Sequence, residues 1–480
     1  LDARLGFNGE NHQGENMTKY ENFLALKAVT DPFTGIPDVP DLPECLFPHQ
    51  RDIVSWALRR GRSALFAGTG LGKSLMELAW GQVVAEKTGK PVLHLAPLAV
   101  SAQLVREAEK FGIPARLVAN QADCAGGGIC VTNYQKIEHF DVSSFGGVIL
   151  DESSILKSTD GHYRNKLIHD CQVVPFRLAA TATPAPNDFM ELGNHAEFLG
   201  VMSYTDMLAT FFVHDGGSTQ NWRLKGHAEN EFWKWMASWA VMLRKPSDLG
   251  YANAGYDLPP LHYHQHTVGV EYRPSIETGM LFPIQAATLS ERISARRDTV
   301  DDRVKMAVDI TPSDRPFVWW CNLNSESEAL AKAIPGAVEV RGSDNDAAKE
   351  RKLIDFSEGR IRVLVTKPSI CGFGMNWQHC ADTGFVGLSD SFEQFYQAIR
   401  RFWRFGQTHP VNCHIIAAET EGATVANIKR KESDAERMAA SMVMHMADLS
   451  SLAVRGSVRD RADYNPQQTI ILPDFIRGNQ

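Results

Sequence analysis

One octapeptide constrains this chain more than any other feature. Ala67-Gly-Thr-Gly-Leu-Gly72-Lys73-Ser74 follows an apolar run and opens a helical stretch over residues 75–84. Small residues let backbone N–H groups wrap phosphate oxygens, and the N-terminus of a helix adds a favourable field. The strand before the loop and the helix after it are the context that separates a phosphate-binding loop from an ordinary Gly-rich turn. In this loop Gly68, Thr69, Gly70 and Gly72 are expected to hold the phosphates of ATP, Lys73 to reach the β- and γ-phosphates, and Ser74 to ligate Mg2+.

Such a loop requires a parallel α/β sheet, and short apolar runs alternate with helical stretches from about residue 45 onward. Strands are expected at 63–66, 91–96, 128–132, 146–150 and 176–180, and a second series at 317–321, 362–366, 384–388 and 411–417. Ligands gather at the carboxyl ends of parallel strands, so the chemistry is expected in the following loops. Residues 203–262, rich in tryptophan, do not fit the alternation and read as an insertion plus linker. From 423 to about 452 the chain reads as one or two helices. The length of 480 residues and 44% hydrophobic content allow two or three domains.

The run Gly147-Val-Ile-Leu-Asp151-Glu152 delivers two adjacent carboxylates from a strand. Nucleotide hydrolysis needs one group on Mg2+ and another to orient or deprotonate water, so Asp151 and Glu152 suit these two roles. The far half carries Gln397-Ala-Ile-Arg400-Arg401-Phe-Trp-Arg404-Phe-Gly-Gln407. An arginine inserted from another domain stabilises charge on the γ-phosphoryl group and makes hydrolysis depend on closure. Arg401 and Arg404 are the candidates.

In order, Phe47-Pro-His-Gln50, the phosphate loop, Ala96-Pro97-Leu98, Thr132-Asn-Tyr134, Asp151-Glu-Ser-Ser154, Thr181-Ala-Thr183-Pro184, Gly372-Phe-Gly374-Met-Asn376 and the 397–407 segment resemble the motif series of superfamily 2 helicases. Within that superfamily they look like the Swi/Snf-type branch, over about residues 44–418. Lys157 and the ending Arg404-Phe-Gly-Gln407 carry the likeness to that branch, and the Asp-Glu-Ser-Ser form and small size resemble phage and prophage helicases. Ser153-Ser154 replaces the usual Gly/Ala-His, and Arg400-Arg401 replaces the usual Gly-Arg.

The resemblance implies an ATP- and Mg2+-dependent motor on double-stranded DNA, working as a monomer in a bacterial host cytoplasm. It implies that Gln50 recognises adenine, that Gly374 and Gln397 belong to the nucleotide site, and that Pro97, Thr181, Thr183, Asn376 and Gln378 couple the cleft to nucleic acid. The alternatives are an RNA helicase, the motor subunit of a restriction or methylation system with a separate loading, nuclease or methyltransferase partner, and a non-catalytic scaffold that binds nucleotide without turnover. The implied fold is α/β: two tandem RecA-like P-loop NTPase domains with a helical, Trp-rich insertion and a helical C-terminal extension. Boundaries are expected at 1–40 (an N-terminal extension, partly disordered or vector-derived), 41–202, 203–262, 263–420 and 421–480.

Other features are weaker. Trp222 and Trp233, interleaved with Arg223, Lys225 and Lys234, are candidates to stack on nucleic acid, against the core stripe that the four-residue spacing of Trp235 and Trp239 implies. His262, His264 and His266 alternate and share one face of a strand, a polar face rather than a metal site. Met438, Met442, Met444 and Met446 read as apolar positions of a helix packed on the second domain. The eight cysteines show no paired spacing and are expected to be reduced. No apolar run reaches the length of a membrane span, so no membrane partner is expected, and no Cys or carboxylate at ligand spacing joins the histidines, so no structural metal is expected beyond Mg2+ with nucleotide. The net charge of −8 leaves a nucleic-acid partner to local basic tracks rather than to composition.

Overall fold

The computed structural model describes residues 33–157, 161–185, 188–214, 222–253, 255–269, 297, 299–371, 376–389, 391–419 and 422–459. Apolar runs ended by small or polar residues become the strands of two sheets. The first contains β1 (Arg62–Ala67), β2 (Val92–Ala96), β3 (Ala115–Leu117), β4 (Ile129–Asn133), β5 (Gly147–Asp151) and β6 (Phe176–Thr181). A short antiparallel hairpin follows, β7 (Phe212–His214) with β8 (Trp222–Leu224), and then β9 (Ala240–Leu243). The seven-stranded order is β3-β4-β2-β5-β6-β1-β9, parallel throughout.

The second sheet contains β10 (Leu261–Val268), β11 (Phe317–Trp320), β12 (Ala337–Glu339), β13 (Val363–Thr366), β14 (Asp382–Phe385) and β15 (Val411–Ala418). Its order is β10-β15-β14-β11-β13-β12, also parallel. Helices cover the sheets, among them α1 (Pro48–Arg60), α2 (Lys73–Thr88), α3 (Leu98–Lys110), α4 (Glu229–Trp239), α5 (Asp346–Ser357), α6 (Phe392–Ile399) and α7 (Gly422–Arg459). Because helices cover both faces, side chains of both parities are buried in the inner strands, whereas the edge strand β10 is largely exposed. Ala64 and Phe66 of β1 enter one core cluster, Leu65 and Ala67 the other. None of the described helices is long and apolar enough to cross a membrane.

The expected strands form, with ends displaced by a few residues and the run at 384–388 beginning earlier, at Asp382. Three expectations need correction. Residues 203–262 are not simply an insertion. Ala240–Leu243 pairs with Ala64–Ala67 as an edge strand of the first sheet, and β10 begins at Leu261, so the 262/263 boundary falls inside a strand.

Secondly, Trp233 does not offer its face to a ligand. Trp233, Trp235 and Trp239 of α4 are all buried in the first sheet's core, where Trp233 meets Phe189 edge-on at 5.3 Å and stacks on His445 at 5.3 Å. Trp222 is half-buried and lies against His214, with ring centroids 3.6 Å apart across the β7–β8 hairpin.

Thirdly, the C-terminal helix is a single rod of 38 residues that does not stay on the second unit. Val425 and Ile428 enter the second sheet's core, whereas Met442 and Met446 enter the first sheet's core beside the α4 tryptophans. Val454 reaches the opposite face of the first sheet. Met444, on the outer face of the rod, is exposed. The alternating histidines lie on β10, where His266 Nε2 is 3.0 Å from His414 Nδ1 and His264 Nε2 is 3.2 Å from Asn412 Oδ1. The cysteines with described side chains are free thiols, all buried except Cys45.

Candidate active site

In the first sheet β5, β6 and β1 are adjacent, so three loops expected to carry chemistry leave the same sheet end side by side. The loop after β1 turns through Gly70 and Gly72, whose φ angles of 89° and 78° favour glycine. Gly72 caps α2, and Lys73 and Ser74 are that helix's first two residues. Lys73 Nζ donates to the Ala67 carbonyl at 3.0 Å, so the ammonium lies folded over the loop. Gly68 N donates to Leu243 O at 2.9 Å, fastening the loop to β9.

Gln50, near the start of α1, is held against this loop. Its Nε2 donates to Leu71 O at 2.8 Å and its Oε1 accepts from Phe47 N at 3.0 Å. A Cβ on Gly72 would lie 2.2 Å from Gln50 Nε2, so this approach requires glycine. Phe47, Tyr256 and Phe405 gather nearby, with Tyr256 and Phe405 centroids 4.6 Å apart and Phe47 6.1 Å from Tyr256.

At the end of β5, Asp151 is buried and its carbonyl accepts from Tyr134 Oη at 2.7 Å. Glu152 has φ 53°, the one positive value on a non-glycine residue among the described residues. Strained backbone of this kind persists where surroundings over-determine it, and it clusters at functional sites. The Glu152 carboxylate accepts from Thr181 Oγ1 at 3.3 Å, and Thr181 Oγ1 accepts from Thr183 N at 3.1 Å. The end of β6 thus holds the carboxylate that immediately follows β5.

Beneath these groups is a pair that the sequence reading did not single out. Glu77, one helical turn beyond Lys73, meets His94 of β2 with Oε2 and Nε2 3.0 Å apart, both fully buried. Burial pushes Glu77 up to about 8, against the pull of Lys73, and pushes His94 down to about 4. Both shifts favour a neutral pair at pH 7. Burial, then the nearby Glu77 and Glu152, holds Asp151 well above the usual carboxylate range, with His94 and Lys73 opposing. The only sequence signal for Glu77 is an acidic residue on an otherwise apolar helix stretch.

The second unit closes the cleft. Arg401, just past α6, is buried and donates from Nε to Gln397 O at 3.1 Å and from Nη2 to Gln397 Oε1 at 3.2 Å. Burial and Arg404 push Arg401 down to about 9, while Glu152 and Asp151 across the cleft pull it back up. Burial pushes Arg404 down to about 10, opposed by Glu107 of α3. Both therefore remain cationic at neutral pH. A Cβ on Gly70 would lie 2.9 Å from Phe405 N and 3.6 Å from Arg404 Cβ, so this segment sits directly on the 67–74 loop.

The coupling candidates lie around this centre. Pro97 caps α3 and lines a groove of about 1090 Å3 together with Asn133, Lys136 and Glu152. Gln378 Nε2 donates to Phe405 O at 3.2 Å, and Gln407 Nε2 donates to Gln378 O at 3.1 Å, tying Gln378 to the arginine segment. Asn376 is exposed. Gly374 lies outside the described residues.

Four buried polar atoms of the cleft, Thr69 Oγ1, Thr183 Oγ1, Gln397 Nε2 and Arg404 Nε, have no hydrogen-bond partner among the described residues. Buried polar groups are nearly always paired, so these orphaned atoms fit a site whose ligand brings polar atoms of its own. Ser74 at the start of α2 and Asp151 at the end of β5 carry oxygen donors of the kind a hard divalent cation takes, although no cluster of three or more His, Cys, Asp or Glu that could hold a metal ion is found among the described residues. No protein-family model matches the chain, and no curated protein matches it either.

Proposed function

We propose that this chain is an ATP-dependent motor that moves on nucleic acid, double-stranded DNA in the first instance, with each sheet the centre of a RecA-like unit. The observation that carries the reading is the convergence, in one cleft, of the 67–74 loop, the Asp151-Glu152 pair and two arginines from the other unit. No single motif has this force. Carboxylates after a strand often cap a helix, and arginines beside a helix often face solvent.

In this account the loop amides and Lys73 bind the triphosphate of ATP, and Gln50 with Phe47 receives the adenine. Ser74 and Asp151 would hold Mg2+, which supplies neutralisation of charge on the β- and γ-phosphates. Glu152, held by Thr181, orients water and accepts its proton. Arg401 and Arg404 stabilise the charge that develops on the γ-phosphoryl group, so turnover needs both units together. Thr181 and Thr183 report the state of Glu152 to the groove beside Pro97, and cycles of closure and opening advance the protein along its track. Two units within one chain complete the site, which supports a monomeric motor.

The test is steady-state ATP hydrolysis by the protein alone and with duplex DNA, single-stranded DNA and RNA at one fixed low salt. Strong stimulation by duplex DNA supports the reading. Stimulation by RNA alone moves the track to RNA, and no turnover under any condition overturns the motor.

A further inference from the structure

The groove beside Pro97 carries two contacts that the hydrolysis site does not use. On its first-unit wall stand Arg106 of α3 and Lys157, six residues beyond Asp151; on the facing wall stand Glu350 of α5 and Glu393 of α6. Each cation is bound to a carboxylate of the other unit. Arg106 Nη1 is 2.5 Å from Glu350 Oε1, and Lys157 Nζ pairs with Glu393, whose other oxygen accepts from Ser154 Oγ at 3.0 Å. Both cations remain partly accessible, at 44% for Arg106 and 39% for Lys157. Glu393 precedes Gln397 and Arg401 by four and eight residues along α6 and the turn that follows it, and Arg401 is hydrogen-bonded to Gln397.

A carboxylate held by a lysine ammonium and a serine hydroxyl presents anionic oxygens much as a backbone phosphate does, and it takes the same donors. We propose that Arg106, Ser154 and Lys157 are phosphate contacts for a nucleic-acid backbone in this groove. Glu350 and Glu393 occupy them in the free protein as intramolecular competitors. Loading then exchanges two protein carboxylates for two phosphates. It also releases Glu393, and with it the groove end of the helix that carries Gln397 and leads to Arg401. This inference rests on the reading that the track is nucleic acid.

The test measures binding of short fluorescein-labelled duplex DNA and single-stranded RNA by anisotropy at one fixed salt, for wild type, Glu393→Gln, Glu350→Gln and the double variant. Exposed ion pairs are modest, so the double variant is expected to bind about three- to tenfold tighter. Lys157→Gln is expected to bind more weakly than wild type. In the Lys157→Gln background Glu393→Gln is expected to add little, because the competitor then has no ammonium to occupy. Equal tightening by Glu393→Gln in both backgrounds would mean simple long-range repulsion and would overturn the competitor role. Equal affinity of wild type and double variant, with clear binding by both, overturns it too while leaving the nucleic-acid reading intact. No binding of either probe by any of these proteins overturns both.

Discussion

Glu152 carries the most local constraint of any residue in the cleft: a left-handed backbone, a hydrogen bond from Thr181 and a place opposite Arg401. If it is the general base, Glu152→Gln keeps the shape and removes the proton acceptor. We expect kcat for ATP to fall by about 100-fold or more, with ATP affinity unchanged within about threefold. Measured turnover beside equilibrium binding of a fluorescent ATP analogue checks this. Glu77 gives a prediction in pH. Its folded value of about 8 lies above the ordinary 4.5, so its contribution to stability is fully present below about pH 4.5 and is lost as pH rises through about 8. His94 acts in the opposite sense and lower down, losing its contribution as pH falls from 6.5 towards 4. Glu77→Gln should therefore flatten the stability profile between pH 6.5 and 8, with a gain over wild type at pH 8 on the order of a few kcal/mol. Denaturant melts across that range measure it, and an unchanged slope would show that Glu77 is already ionised in the folded protein.

The elements divide by how openly the chain declares their surroundings. Trp239 is fully buried and touches Phe66 of β1 and Trp235, so Trp239→Ala should cost about 3–5 kcal/mol in an unfolding titration. Loss of nucleic-acid binding at full stability would instead make α4 a contact surface. Most strands were legible because a strand buried on both faces reads as a short apolar run ended by small residues, as 147–151 does. The edge strand β9 was not, because Ala240–Leu243 follows Trp239 without a breaker and continues an apolar stretch that reads as helix. Strands β3 and β12 are only three residues long and carry too few positions for a period. Met438, Met442 and Met446 of α7 were legible as apolar positions that pack, whereas Met444, counted with them, is exposed. Their partner was not, because an amphipathic stripe states that it packs and not on what. In the site, Gln50, Lys73 and Glu152 were readable as candidates because each stands in a recognisable motif. Glu77, Tyr256 and Glu393 were not, since they stand in no such motif and their contacts, across 17 or more residues or between the two units, leave no mark on the local sequence.

At the scale of the molecule, two parallel sheets meet over one cleft, and α7 reaches from the second core to both faces of the first. Among the described residues, the cross-unit contacts include Arg404-Phe405 on the 67–74 loop, the paired carboxylates along the groove, and the α7 rod behind. The first of these brings cationic groups to the 67–74 loop. If this cleft hydrolyses ATP with part of the chemistry supplied by the second unit, Arg401→Ala should turn over about 1000-fold more slowly than wild type with saturating ATP and duplex DNA, its ATP affinity staying within a few-fold. Wild-type turnover in that variant, with the protein folded, would contradict that reading.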